Sequence, residues 1–355
     1  MRRTSRIGRL GMLAVGLGVG TALASTPGTA SADPSTDLLA SIDQLLSGLG
    51  VPADPSTPLD MQISFNGTDL FSTVDNTATA TSTAGNLAIA IGDGSNASAT
   101  GGYFDFAVAD GAGSSAATGL GADLDSAIAV GPNSFAQVGL NALLDSAFAD
   151  GNGSSAIVGV SANLDSATAI GTTSQAVVGI GGSADAAFAD GTSSFANAGI
   201  GNYDLVTALG DGSSSAISGV GNGDYSSAVD GGNATAGGFG STSLAEGVGS
   251  TATAIGASDS ATVLGGDAEG QAMGIGNVAS IINTGSSFDE AIAGGNGSFP
   301  LVDNDIAEII GTGSSAIAGA SPTAPGDFDL AAVFGDLLDA NATGSNFVFD
   351  ILPSL

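Results

Sequence analysis

Carboxylates are the chemistry this chain carries. It holds 35 Asp and Glu, no His and no Cys, and its four basic residues are Arg2, Arg3, Arg6 and Arg9. From Asp33 onward, Lys, Arg, His and Cys are all missing. Ser-His-Asp triads, phosphate clamps and imidazole or thiolate metal sites therefore cannot be assembled there. Nucleic acid is excluded as a partner, because phosphate neutralisation needs Lys or Arg. Carboxylates alone can hold cations, or work in pairs as a glycosidase does, standing about 5 or 6.5–9.5 Å apart. The most regular set is Asp105, Asp125, Asp145, Asp165 and Asp185, one every 20 residues. A stacked row of this kind repels itself unless it reaches water, caps backbone amides or takes cations such as calcium. Asp at a turn-to-strand junction commonly bonds to backbone, so capping is the expected role. These five are also the candidates for cations, although the calcium nonapeptide is not repeated here. Glu246, Glu269, Glu290 and Glu308 fall in the less regular second half and read as surface loops. No catalytic pair stands out and no cofactor is required.

These aspartates belong to a repeat. Gly119, Gly139, Gly159, Gly179, Gly199 and Gly219 share the 20-residue spacing, as do Ala116, Ala136, Ala156, Ala176, Ala196 and Ala216. A fixed period near 20 residues predicts a solenoid, each unit burying its face against its neighbours. Each unit holds two short strands and two turns. The expected fold is thus all-β, a parallel β-solenoid or β-roll with about 20 residues per coil and short helical caps at both ends.

The strand period of two sorts the side chains. In Ser126-Ala-Ile-Ala-Val130 it sets Ala127 and Ala129 against Ile128 and Val130. The equivalents of Val130 include Asp110, Asp150 and Asp190, and unpaired carboxylates are costly to bury, so the alanine row is expected inside. In the second strand Ala156, Val158 and Val160 are expected inside together. The outer row then presents Ile128, Phe148 and Phe188 as an interaction face. On it Asp110, Asp150, Asp190 and Asp230 alternate with Val130, Ile170 and Gly210.

Residues 1–32 read as a secretory signal. The four arginines form a positive start, Leu10 to Ala24 an apolar stretch, and Ala30-Ser31-Ala32 a cleavage site. Residues 33–60 contain a short helix, with Leu38, Leu39, Ile42, Leu45, Leu46 and Leu49 on one stripe, and then a proline-rich linker. Residues 61–80 read as a hairpin cap turning at Asn66-Gly67. The repeats occupy 81–320. Residues 321–355 are expected to close the array with a helix through Phe328, Ala331, Ala332, Phe334, Leu337 and Leu338, and a last strand over Asn346 to Leu352.

The rungs Ala167-Thr-Ala-Ile-Gly171 with Ala176-Val-Val-Gly179, and Ala252-Thr-Ala-Ile-Gly256 with Ala261-Thr-Val-Leu-Gly265, resemble the head repeats of trimeric autotransporter adhesins. That resemblance implies a left-handed parallel β-roll, trimerisation, and adhesion to host surfaces or matrix. The signal and the acidic Ala/Gly-rich body look like secreted proteins of mycobacteria and related actinobacteria. Together these readings point to a secreted, non-enzymatic structural or adhesion protein, extracellular or associated with the cell envelope. After cleavage it carries no transmembrane anchor, and its expected partners are further copies of itself or a host or envelope ligand. The alternatives are an Asp/Glu-dependent carbohydrate-active enzyme and a calcium-stabilised repeat protein.

Overall fold

The computed structural model describes residues 60–351, apart from 74, 122, 211–213, 248, 284, 286, 295–303, 320–327 and 343–346. The signal, the 33–50 helix and the linker lie outside the described residues. Met61–Ser72 and Asn76–Leu355 make one compact unit, which contains all the strands described. Two sheets run its length, one of 16 strands and one of 14, and the chain alternates between them. Coil pairs with coil in parallel, as in Ser146–Asp150 against Ser166–Ile170 and Ser155–Val158 against Gln175–Val178. This is the expected β-solenoid. Among the described residues there is no helix long and apolar enough to cross a membrane.

The core is two small side chains deep. Ala127, Ala129, Ala147, Ala149, Ala167 and Ala169 from one sheet face Ala136, Val138, Ala156, Val158, Ala176 and Val178 from the other, and all are buried. Alanine is a spacing constraint in the earlier coils, where the column of Ala129, Ala149, Ala169 and Ala189 leaves room for a methyl group, and the same column widens to Val263, Ile281, Ile309 and Val333 further along. The chain also turns close to itself. A Cβ on Gly159 would collide with the carbonyl oxygen of Gly179 in the next coil, so the glycine row is set by close approach.

Besides Glu246, Glu269, Glu290 and Glu308, which lie in strands rather than loops, three expectations need correction. Val160 and its equivalents are not inside: the strand ends at Val158 and the chain turns at Gly159, and where strands run on to Asn202 and Asn222 the alternation of burial breaks at Gly199 and Gly219. Leu120, Leu140, Ile180, Ile200 and Val220 are exposed in that row. Next, one coil between Asp185 and Asp204 spans 19 residues, so Asp190 pairs with Leu209 rather than Gly210, and Leu209 with Val229 rather than Asp230. Third, the helix through Phe328 to Leu338 is not formed. Leu330–Phe334 and Asp339–Ala342 are strands that extend the two sheets, and Phe347–Ile351 adds one more. The apolar spacing fits a helix stripe as well as a strand. The open amides of Ile306–Gly311 decide it, since an unpaired edge is a standing cost.

At the other end Met61–Phe65 and Thr68–Ser72 form an antiparallel hairpin. Its turn has positive φ at Asn66 and Gly67, 53° and 77°, as the two-residue primed turn requires. Met61–Phe65 then pairs antiparallel with Leu87–Ile91.

The alanine spacing gives a direct test. Ala169→Leu is expected to lower stability by about 1–3 kcal/mol through overpacking, measured by urea unfolding. An unchanged midpoint would show the core to be looser than described.

Candidate functional site

Two columns of unlike character run along one corner of the solenoid, where the chain leaves the shorter sheet and enters the longer one. The first is the aspartate row. Asp105, Asp125, Asp145, Asp165 and Asp185 are 1–2% exposed, and the row continues through Asp204, Asp224, Ser241, Asp259, Asn277, Asp305 and Asp329. Most members accept the backbone N–H of the next, while the Ser241 hydroxyl donates to the Gly256 carbonyl instead. The Asp145 N–H donates to Asp125 Oδ1 at 2.8 Å, and Asp165, Asp185 and Asp204 repeat the bond at 2.8 Å on the member before. Asn86 begins the column by accepting the Asp105 N–H at 2.9 Å. Capping was the expected role, but here it reaches between coils instead of acting locally.

The column persists where the period fails. Its bonds span 20 residues through much of the array, then 17 from Asp224 to Ser241, 18 from Asp259 to Asn277, 28 to Asp305 and 24 to Asp329. Asp329-Leu-Ala-Ala-Val-Phe334 is therefore one more copy of Asp165-Ser-Ala-Thr-Ala-Ile170. That likeness was the signal by which sequence reading could have found the last coils. At the opposite corner a column of buried serines does similar work, with Ser114 and Ser134 Oγ donating to the carbonyls of Gly111 and Gly131 at 2.8 and 2.9 Å.

Burial makes these carboxyls weak acids. It pushes Asp105 up to about 6 and Asp125, Asp145 and Asp185 up to about 7, against bonds from backbone N–H groups that pull them down. Neighbouring carboxylates push the same way, and basic groups that would oppose them are missing from residue 33 onward. Being sealed from solvent, these five side chains offer a sugar no access. Among the described residues no group of three or more His, Cys, Asp or Glu is arranged to hold a metal.

The second column is apolar and exposed. The residue before each of the first aspartates turns the chain in the left-handed region, with Ala184 at φ 61° interrupting an otherwise bulky series: Phe104, Leu124, Leu144, Leu164 and Tyr203 have φ of 61–64°. A bulky residue there is strained by roughly 1–2 kcal/mol. Each projects into solvent, Leu164 at 61% and Tyr203 at 73%. Beside them stand Leu120, Leu140, Ile180, Ile200 and Val220, also exposed. Elsewhere in the array the same turning position is filled by Gly223, Gly276 and Asn304, all with positive φ. Sequence reading missed this corner, because it gave Leu124, Leu144 and Leu164 no role and placed the Val160 row inside.

The expected interaction face lies elsewhere, on the outer side of the longer sheet. There Val108, Ile128, Phe148, Thr168 and Phe188 stack in register. Ile128 is 8% exposed and offers a partner little, while Phe148 and Phe188 are half-buried and separated by Thr168.

The raised carboxyls set the direction of pH dependence. Unfolded aspartates titrate near 3.8, whereas the folded column holds its protons to about 6–7. Between those values the folded state binds more protons, so its stability falls as pH rises. The contribution is full below about pH 4 and lost above about pH 7. Urea midpoints should therefore be higher at pH 4.5 than at pH 8, the reverse of ordinary acid denaturation. A midpoint that rises over this range would show the column to be ionised.

No family model, curated protein or solved structure matches this chain.

Proposed function

We propose that this protein is a secreted, acidic, non-enzymatic solenoid that serves as a structural or adhesion element of the cell surface or envelope. The exposed apolar corner carries the reading. Phe104, Leu124, Leu144, Leu164 and Tyr203 meet two costs at once, a strained backbone and exposure to water. Gly223, Gly276 and Asn304 show that the turn itself needs no large side chain. Folding does not account for the leucines and aromatics, so contact with a partner is the role that remains for them. Exposed apolar patches of this extent commonly mark interaction sites. The repeat multiplies the contact, because successive coils about 4.8 Å apart present the same kind of residue in line.

The ligand that fits is an extended host or envelope component with an apolar face. The surrounding surface is acidic without counter-charges, so polyanions are repelled. This arrangement suits holding rather than turnover.

Replacing Leu124, Leu144 and Leu164 with Gly relieves the strained turns and removes the apolar row. Stability is expected to stay within about 1 kcal/mol per site, since glycine's added unfolded-state entropy offsets the relief. Retention of the labelled, cleaved protein on intact envelope or matrix is expected to drop several-fold, while Phe148→Ser with Phe188→Ser leaves it unchanged. Equal retention of the glycine variant and the wild type would reject the corner as the adhesive element.

A further inference from the structure

The aspartate column contains members that are not aspartate, and these show what the second side-chain atom does when it carries a proton. Asn86 accepts the Asp105 N–H through Oδ1 and donates from Nδ2 to the Gly102 carbonyl at 3.1 Å. Gly102 lies three residues before Asp105, in the next coil. Ser241 occupies the column further along, and its Oγ donates to the Gly256 carbonyl at 3.3 Å. Gly256 likewise lies three residues before the next member, Asp259. Two of the three neutral members, Asn86 and Ser241, thus donate to the same carbonyl of the following coil, while Asn277 donates from Nδ2 to the Met273 carbonyl of its own coil at 2.7 Å.

The aspartates place Oδ2 where those donors stand. In Asp125, Asp145, Asp165 and Asp185, Oδ2 is buried and has no hydrogen-bond partner. Around Asp185 a Cβ added to Gly182 would collide with Oδ2 and also crowd the Gly201 carbonyl oxygen. The two oxygens therefore flank one point, and Gly201 lies three residues before Asp204, the next member. At Asp125 and Asp145 the corresponding carbonyls, Ala142 and Ala162, take the Asp123 and Leu143 N–H at 3.2 and 3.3 Å and keep a second lone pair, whereas each buried Oδ2 has no donor, and leaving it so in a dry interior is expensive. Gly182 stands close enough to Asp185 Oδ2 that even a methyl group would collide with it, and basic side chains are missing from residue 33 onward. The titratable groups facing the column are themselves acids: Asp123 beside Asp105 and Asp125, Asp336 beside Asp289, and the column members above and below.

We infer that the column from Asp125 to Asp185 is a proton-binding site, in which each neutral carboxyl accepts the next coil's aspartate N–H through Oδ1 and donates its proton from Oδ2 to that coil's carbonyl three residues earlier. The solenoid is thereby stapled coil to coil by protons taken from solvent, and ionisation breaks one of the two bonds of each staple. Asp259 departs from this arrangement, since the Gly274 N–H donates to its Oδ2 at 2.9 Å and suits a carboxylate.

Asparagine supplies the same donor and acceptor at every pH, as Asn86 does. The test is the full secreted protein against Asp145→Asn/Asp165→Asn/Asp185→Asn, with urea unfolding from pH 4.5 to 8 in chelator and again with calcium alone added. The wild-type folding equilibrium is expected to weaken by about tenfold per pH unit for each group that holds its proton only when folded. The triple variant is expected to lose that part of the slope and to be the more stable of the two at pH 8. A variant less stable than wild type at pH 8, or with an unchanged slope, would overturn the inference. So would stabilisation by calcium of the wild type but not the variant, which would make the column a cation site. Infrared spectroscopy reads the wild type directly: a carboxylic-acid carbonyl band persisting at pH 7 is expected, and its absence would overturn the inference even if the variant failed to fold.

Discussion

At the corner where each coil enters the longer sheet, a backbone N–H is buried and needs an acceptor. In a core built of alanine methyls, space for that acceptor is small. Aspartate meets the demand: its side chain is short enough to stay inside the turn and reaches the amide of the coil above. The bond recurs at 2.8 Å coil after coil. It survives where the coil shrinks to 17 residues or grows to 28, so it sets where a coil begins more strictly than the period does.

That requirement brings charge into a place where charge is poorly tolerated. A chain with Lys or Arg would meet it with ion pairs, and this one has neither beyond its first few residues. What remains is to weaken the acid, which burial does. The serine column at the opposite corner shows the uncharged solution, a hydroxyl donating to a local carbonyl. At Ser114 and Ser134 that bond closes within one turn, and at Ser194 and Ser314 it reaches the next coil, at Gly210 and Gly335.

The apolar corner follows from the same turn. To bring aspartate inward, the residue before it must adopt a left-handed backbone, and its side chain is thrown outward into water. Glycine or asparagine would do this at less cost. The array uses both in places and leucine, phenylalanine or tyrosine in others, so geometry determines the direction of the side chain and leaves its identity free for contact. Position along the rod, rather than a pocket, is then the variable that recognition has to work with.

The sequence by itself determined the solenoid, the inward alanines, the glycine rows and the hairpin at Asn66-Gly67. These follow from local rules, namely period, parity and turn chemistry, each readable within one coil. Only the tertiary structure decided that Asp125 caps Asp145 rather than its own turn, that Val160 faces outward, and that Leu330–Phe334 is a strand. The physical reason is common to all three. Each depends on a neighbouring coil: which amide stands one rise above, how the stack forces the chain to turn at Gly159, and whether a sheet edge is still open when the chain reaches Asp329. A residue-by-residue reading sees the side chain and its parity, but the partner that settles its role lies a whole coil away.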